Sequence, residues 1–335
     1  MWPHRSPSFE PAPRHEAGSA RGVNGGRWER RPGSTLALSA LLAVLGACSG
    51  ETASIAPTTT TAGPSTTTTS VGAPTTTAAP LTTTTWPEDP GLLLVVGDWG
   101  SGTAPQGAVA GAMRRVSESA EVDAILTTGD NLYSNNVSFI MEPYQWALDS
   151  GIPFWITWGN HDIASEERVG LVNEVFASPP RWTTHTWGAV EIVILDSNQV
   201  DDPEQLAFVE EVLSEVTSPT IVVFHHPPFS CGKYVDDGTV LGQWAPLFDD
   251  EVVLVLSGHD HNYQRFLVED LSYVVTGGGG RGLYAVDDCL SGHPPLEHGE
   301  VKHHFMILEQ TAGRLTVSAI DILGEVLDTT EIALR

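Results

Sequence analysis

The chain has 335 residues, 41% of them hydrophobic and 17% charged, with 42 acidic side chains against 16 basic ones and a net charge of −26. That composition supplies enough apolar sequence for a large core, and its acidic balance excludes a basic nucleic-acid-binding face or a polybasic membrane-surface protein. Three cysteines are too few for a disulfide framework or a cysteine-rich zinc module, and no apolar run reaches the roughly 20 residues of a membrane span.

Residues 1–33 carry six of the 14 arginines together with Pro, Gly and Ser, and show no hydrophobic period. A short apolar run follows Arg27, Arg30 and Arg31, which is the layout of an export signal. It ends in Leu45, Gly46, Ala47 and Cys48, which resembles a bacterial lipoprotein box. The resemblance implies lipidation of Cys48 and attachment to a membrane, each buried CH₂ contributing about 0.8 kcal/mol. Because residues 1–22 are long for the leading part of such a signal, an internal start near Val23 is expected. Residues 1–48 are thus expected to be an export signal with a lipid-attachment site, giving an extracytoplasmic cell-envelope lipoprotein or a secreted protein. In residues 49–90, threonine runs at 58–61, 66–69, 75–77 and 82–85 alternate with Pro, Ala and Gly. Such a segment cannot bury a core, and a disordered, extended linker is expected.

From Gly91 the pattern turns globular, and residues 91–335 are expected to form the catalytic domain. Short apolar runs recur as candidate buried strands, each stopping at a glycine or a polar cluster. Residues 92–96 precede Gly97 and Asp98. Residues 124–128 precede Gly129, Asp130 and Tyr133. Residues 154–158 precede Gly159, Asn160, His161 and Asp162. Residues 221–224 lead into His225 and His226, and residues 252–256 into Gly258, His259 and His261. Helical stretches are expected between them, at 105–119 and at 202–216, the latter with Asp202 as cap, Pro203 at its start and Leu206, Val209 and Leu213 on one face. Strands alternating with helices imply crossovers and a largely parallel sheet, with ligands beyond the carboxyl ends of the strands. Five strand ends would then deliver Asp98, Asp130, Tyr133, Asn160, His225, His259 and His261 to one rim.

Carboxylates, an amide oxygen and imidazoles suit metals of intermediate hardness, and a phenolate suits a trivalent ion. Seven such groups exceed the needs of one metal but fit two sharing a bridging carboxylate, the clamp used in phosphate-ester hydrolysis. Local cations would also reverse the sign of a strongly acidic chain at the place where an anion must bind.

Taken together and in this order, Gly97-Asp98, Gly129-Asp130 with Tyr133, Gly159-Asn160-His161-Asp162, His225 and Gly258-His259 with His261 resemble the calcineurin-like metallophosphoesterases, and among them the purple acid phosphatases of the small tartrate-resistant type. The resemblance implies a four-layer α-β-β-α sandwich, two mixed sheets flanked by helices. It implies that Asp98, Tyr133 and His261 hold Fe(III), that Asp130 bridges, and that Asn160, His225 and His259 hold a divalent Fe, Zn or Mn. His161 would face the substrate, Asp162 would orient His161, and His226 would lie at the rim. The expected reaction is hydrolysis of phosphomonoesters by a metal-bound hydroxide, without a protein nucleophile. No arginine occurs in residues 131–138, unlike the protein serine/threonine phosphatases of the superfamily. The alternatives are a phosphodiesterase or nucleotidase on the same centre, or a non-catalytic surface lipoprotein. The phosphate-ester substrate and the lipid on Cys48 are the expected partners, with no nucleic-acid binding beyond a nucleotide substrate, and the chain is expected to be monomeric.

Cys231 and Cys289 fall in loops expected on the same rim, and a disulfide between them, worth about 3–5 kcal/mol, is expected in an oxidising compartment. The alternative is two free thiols. The four glycines at 277–280 are expected to let a loop pass close to the site. His185, Asp196, His293, His298, His303 and His304 are expected to be structural or surface groups, and Trp155, Trp158 and Trp182 core residues. Residues 305–308 and 315–320, with Gly324 as a turn, are expected to form an edge hairpin of a second sheet.

Overall fold

Successive side chains of a strand point to opposite faces, and the first strand buries both. In β1 (Gly91–Val96), Leu93 and Val95 enter one apolar cluster while Leu92, Leu94 and Val96 enter another. A strand buried on both faces needs a layer on each side, so sheet must pack on sheet with helices outside. The computed structural model describes residues 91–234, 237–289 and 292–334. The expected export signal, lipid site and threonine-rich linker, residues 1–90, lie outside these.

After β1 come α1 (Ala104–Ser117), β2 (Ala124–Thr127), α2 (Ser138–Asp149), β3 (Phe154–Trp155) and α3 (Glu166–Val175). The chain then continues through β4 (Thr183–Trp187), β5 (Val190–Ile194), α4 (Pro203–Glu215), β6 (Thr220–Val223), α5 (Gly238–Gln243), β7 (Val252–Ser257), β8 (Tyr263–Val268), β9 (Leu271–Thr276) and β10 (Leu296–Glu300). It ends with β11 (His304–Thr311), β12 (Arg314–Asp321) and β13 (Val326–Ala333). One sheet has the order β13-β12-β11-β1-β2-β3 and the other β10-β8-β9-β7-β6-β5-β4. In the first sheet the parallel strands β1, β2 and β3 form one end and the antiparallel β11, β12 and β13 the other. In the second, β5, β6, β7 and β9 pair in parallel in the middle, with antiparallel β4 at one edge and β8 and β10 at the other.

Three apolar clusters separate the four layers. Leu93, Val95, Ile192, Ile221, Leu254 and Met306 lie between the sheets. Val193, Val209, Leu213, Phe224, Trp244 and Val255 join the second sheet to α4 and α5. Leu94, Val109, Met113, Ile125, Tyr144 and Val172 join the first sheet to α1, α2 and α3. Helix α4 starts where the sequence places it: the Asp202 carboxylate accepts the backbone N–H groups of Glu204 and Gln205 at 2.9 and 3.1 Å, and Pro203 fills the first helical position.

The α-β-β-α architecture matches the expectation, with two local corrections. Residues 154–158 form a strand only over Phe154–Trp155, because the following residues turn away into the polar loop. The late strands do not make an edge hairpin of a second sheet. They form a three-stranded meander, β11-β12-β13, that continues the first sheet, with β11 hydrogen-bonded directly to β1 and its Met306 opposite Val95. Trp158 is buried and donates to the Pro180 carbonyl at 3.1 Å, and His185 stacks on Trp155 with ring centroids 4.6 Å apart. Asp196 forms an ion pair with Arg181 at 2.7 Å. Among the described residues no helix is long and apolar enough to cross a membrane.

Candidate metal centre

The polar residues begin where the parallel strands stop. β1 gives way to Asp98, β2 to Asp130, β6 to His225 and β7 to His259, while Asn160 follows the loop beyond β3. Three of these side chains stand on left-handed backbone, with φ of 58° at Asp98, 52° at Asp130 and 69° at His259. Such conformations cost a non-glycine residue on the order of 1 kcal/mol or more and persist only where surroundings over-determine them. Here the loops brace one another: Asp98 N–H donates to Gly129 O at 3.0 Å, Trp99 N–H to Asp130 O at 3.2 Å, and His259 N–H to Asp98 Oδ2 at 2.9 Å. Gly129, at φ 95°, is required by closeness as well, since a Cβ there would lie 2.5 Å from His225 Nδ1. The expectation for the glycine run 277–280 holds: a Cβ on Gly279 would lie 2.3 Å from Gly97 O, to which its N–H donates.

The seven expected ligands form two groups. In one, the Tyr133 hydroxyl donates to Asp98 Oδ1 at 2.9 Å and lies 3.1 Å from His261 Nε2, which is 3.3 Å from the same Asp98 oxygen. In the other, Asn160 Oδ1 lies 3.1 Å from both His225 Nε2 and His259 Nδ1, and those two ring nitrogens are 3.3 Å apart. Asp130 stands between them, its Oδ1 3.4 Å from His225 Nε2 and accepting the His161 N–H at 2.8 Å. Ligand atoms of Asp98, Asp130 and His225 lie within 4.8 Å of one another, as do those of His225, His226 and His259.

Proton positions test whether this set suits a metal. His225 Nδ1 is 2.8 Å from the Thr128 carbonyl and His261 Nδ1 is 2.7 Å from the Gly282 carbonyl. A carbonyl oxygen only accepts, so each Nδ1 carries a proton and each Nε2 points at a carboxylate oxygen. At His225, which burial keeps neutral, the Nε2 lone pair faces an Asp130 oxygen at 3.4 Å, and a cation between them would reconcile the two. The titration behaviour agrees. Burial and then the Asp98 carboxylate push Asp130 well above the usual carboxylate range, and the same two causes raise the Tyr133 phenol. Burial and then His226 hold His225 well below the ordinary histidine value and bring His259 to about 3. Neutral imidazoles beside carboxylates that ionise at a cost are a fitting donor set for cations.

The remaining expected residues divide. His226 lies beside His259, with ring centroids 4.6 Å apart, and its Nδ1 is 2.8 Å from Ser197 Oγ. That hydroxyl already accepts the N–H groups of His225 and His226 at 3.2 and 2.9 Å, so its own hydrogen goes to His226 Nδ1. His226 therefore carries its proton on Nε2. His161 is half-buried against the Tyr133 ring at 4.4 Å, and burial followed by the Arg168 charge lowers its pKa. Asp162 does not orient the His161 ring. Its carboxylate, fully buried, accepts from Asn131 Nδ2 and Gly159 N–H on one oxygen and from Leu132 N–H on the other, all at 2.8–2.9 Å, and so ties two ligand loops together. Burial raises it to about 6.

The Cys231–Cys289 disulfide is present, with Cα atoms 4.5 Å apart. Sequence reasoning did not single out Ser197, Lys233, Tyr234, Arg281 or Tyr284, which surround the centre through contacts that no local spacing announces. Tyr284 stacks on His261 with ring centroids 4.1 Å apart, and Tyr234 lies over His259 at 4.1 Å.

The calcineurin-like phosphoesterase family model matches residues 91–263, just over half of the 335-residue chain. Purple acid phosphatase 3 of Arabidopsis thaliana is 25% identical over 276 residues, covering 70% of this chain and 75% of that protein. A probable cyclic nucleotide phosphodiesterase of Synechococcus is 29% identical over 152 residues, covering 42% of this chain and 58% of that protein. Among solved structures, a purple acid phosphatase from yellow lupin (Lupinus luteus) seeds superposes with a TM-score of 0.60 at 16% identity, over 73% of this chain and 54% of that one.

Proposed function

The chain belongs to the calcineurin-like phosphoesterase family and is a metal-dependent phosphoric ester hydrolase, and from that premise we propose that it hydrolyses phosphomonoesters at the Asp98–His261 centre. One observation carries the reading: His225 and His261 each donate a proton outward to a backbone carbonyl and turn Nε2 inward onto a carboxylate. Asp98, Tyr133 and His261 would hold one metal, proposed as Fe(III), and Asn160, His225 and His259 a divalent Fe, Zn or Mn, with Asp130 shared. When bound, two cations would supply the positive charge that holds phosphate oxygens and lowers the pKa of a water.

The chain's own groups supply the rest. Ser197 fixes the His226 tautomer, so that Nε2–H is the edge free to donate to a phosphate oxygen. His161, half-buried beside Tyr133, is placed to donate to the departing ester oxygen. Asp162 holds the Asn131 and Gly159 loops at fixed separation and thereby sets the distance between Asp130 and Asn160. Initial rates of the metal-loaded full chain on para-nitrophenyl phosphate and bis(para-nitrophenyl) phosphate test the reading. Monoester turnover is expected; turnover of the diester alone would replace it with a phosphodiesterase, the activity named for the Synechococcus relative.

We also propose that the domain works outside the cytoplasm, held by a lipid on Cys48 and spaced by residues 49–90. The Cys231–Cys289 disulfide supports an oxidising compartment. Replacing Cys48 with Ser should move activity from the membrane fraction to the soluble one, and activity that stays in the membrane would refute the anchor.

A further inference from the structure

Resting on the phosphatase reading, we propose that Lys233 and Arg281, set over Tyr284, Tyr234 and Tyr133, form a second anion subsite beside the metal centre, which selects phosphate esters carrying an additional phosphoryl or carboxylate group. Lys233 Nζ lies 4.1 Å from the Tyr284 ring centroid and 4.9 Å from that of Tyr234, and the Arg281 guanidinium lies 4.8 Å from the Tyr133 ring centroid. These rings in turn touch ligands of both groups. Tyr284 stacks on His261, Tyr234 lies over His259, and Tyr133 stands among Asp98 and His261. An arc of aromatic faces thus borders the site and carries an exposed cation near each end.

The two cations differ from the others in how their charge is met. Among the ion pairs between described residues, Arg114, Arg181, Arg265, Lys302 and Arg314 each meet a carboxylate, whereas Lys233 and Arg281 meet none. Arg115 and Arg168 reach backbone carbonyls, and Lys233 Nζ donates to the Tyr234 hydroxyl at 3.4 Å, a partner that leaves its charge uncompensated. In a chain with a net charge of −26, two positive heads without a carboxylate partner, both over rings that touch the candidate ligands, make a local field suited to an anion.

The arc is also built rather than loose. The Asp260 carboxylate, between His259 and His261, accepts the Lys233 and Tyr234 N–H groups at 3.0 and 3.4 Å and the Ser230 hydroxyl. The disulfide from Cys231 pins the same loop, and Arg281 N–H donates to Asp98 O at 3.1 Å. The subsite is therefore fixed to the ligand loops, so a substrate whose phosphate meets the metals would present its second anionic group to the arc.

Glycerol phosphate, phosphoglycerate and bisphosphoglycerate differ by one anionic group and test this on the metal-loaded full chain. Wild-type protein should prefer the two more charged esters. Lys233→Met or Arg281→Met should each lower the kcat/KM ratio of bisphosphoglycerate to glycerol phosphate by about fivefold, the upper range for an exposed charge contact. KM should carry the change, and Lys233→Arg should restore the ratio. A purely structural lysine would lower all three activities together, and that result overturns the proposal. A second measurement needs no turnover. Lys233 and Lys302 are the two lysines of the chain, and bisphosphoglycerate, but not glycerol phosphate, should slow acetylation of Lys233 without slowing that of Lys302. If no ester is hydrolysed yet Lys233 is protected, the phosphatase reading fails and the subsite stands. If esters are hydrolysed without preference or protection, the subsite falls.

Discussion

The two halves of the candidate metal centre are built from different chemistry and face different surroundings. Asp98, Tyr133 and His261 include two groups that ionise to anions, and all three side chains are buried. Asn160, His225 and His259 include no group that becomes an anion, and Asn160 and His259 are only partly buried, next to His226 and within reach of solvent. The sealed half can neutralise a higher charge, while the open half offers a softer, neutral set beside the groups that would meet substrate. The contrast teaches a division of labour: negative charge is kept where water cannot screen it, and any ligand exchange would fall to the side that opens outward.

Substituting the shared residue should erase the contrast altogether. Asp130→Asn removes the carboxylate that lies between both sets, and turnover should fall on the order of a thousandfold or more while far-UV circular dichroism is unchanged. Substantial residual activity would mean that the two sets act separately. A smaller, one-sided effect is expected for His225→Ala. Metal affinity should drop about a hundredfold at the open half, read by metal analysis after mild chelation, with the other metal retained. Loss of both metals together would contradict separate halves.

Tyr133→Phe sharpens the comparison from the sealed side. If that half holds Fe(III), the phenolate-to-iron visible band should vanish while turnover falls by less than about tenfold, because the open half and its histidines are intact. A band that survives would place the chromophore elsewhere. Outside both halves, His304→Gln should leave turnover unaltered and change only stability. His304 is fully buried between Thr276 Oγ1 at 2.9 Å and the Lys302 carbonyl at 2.9 Å, and burial lowers its pKa from 6.5 to about 4. The folded protein therefore resists a proton that the unfolded chain accepts, so this contribution is complete above pH 6.5 and is lost as pH falls toward 4. The loss amounts to roughly 3 kcal/mol, and denaturant titrations from pH 7 to pH 4 should show a flatter profile for the variant.

Much of the centre was legible because its code is local. A short apolar run, a glycine and a ligand-type side chain occur within a few residues at Val96–Asp98, Thr127–Asp130 and Ser257–His259, and the unbroken apolar run from Leu92 to Val96 that marks a strand also requires layers on both faces. The role of Asp162 was not legible, because adjacency to His161 suggested a partner while its carboxylate is used by residues 30 and 31 positions earlier and by Gly159. The strand that inserts beside β1 was equally hidden. β11 carries a four-residue apolar run followed by polar residues, which marks a strand without naming its neighbours, and only its pairing with Leu93 and Val95 chooses its place.

The sequence by itself determined the chemical inventory and the loops that carry the candidate ligands, since apolar runs and glycine placement act over a few residues, and its resemblance to a known family implied the four-layer class. Tertiary structure alone decided the left-handed backbone at Asp98, Asp130 and His259, the protons on His225 and His226, and the cationic arc of Lys233 and Arg281. Each of these depends on a hydrogen bond or ring contact between segments distant in the chain, such as His259 N–H to Asp98 across 161 residues, and no local preference specifies which distant partner will arrive.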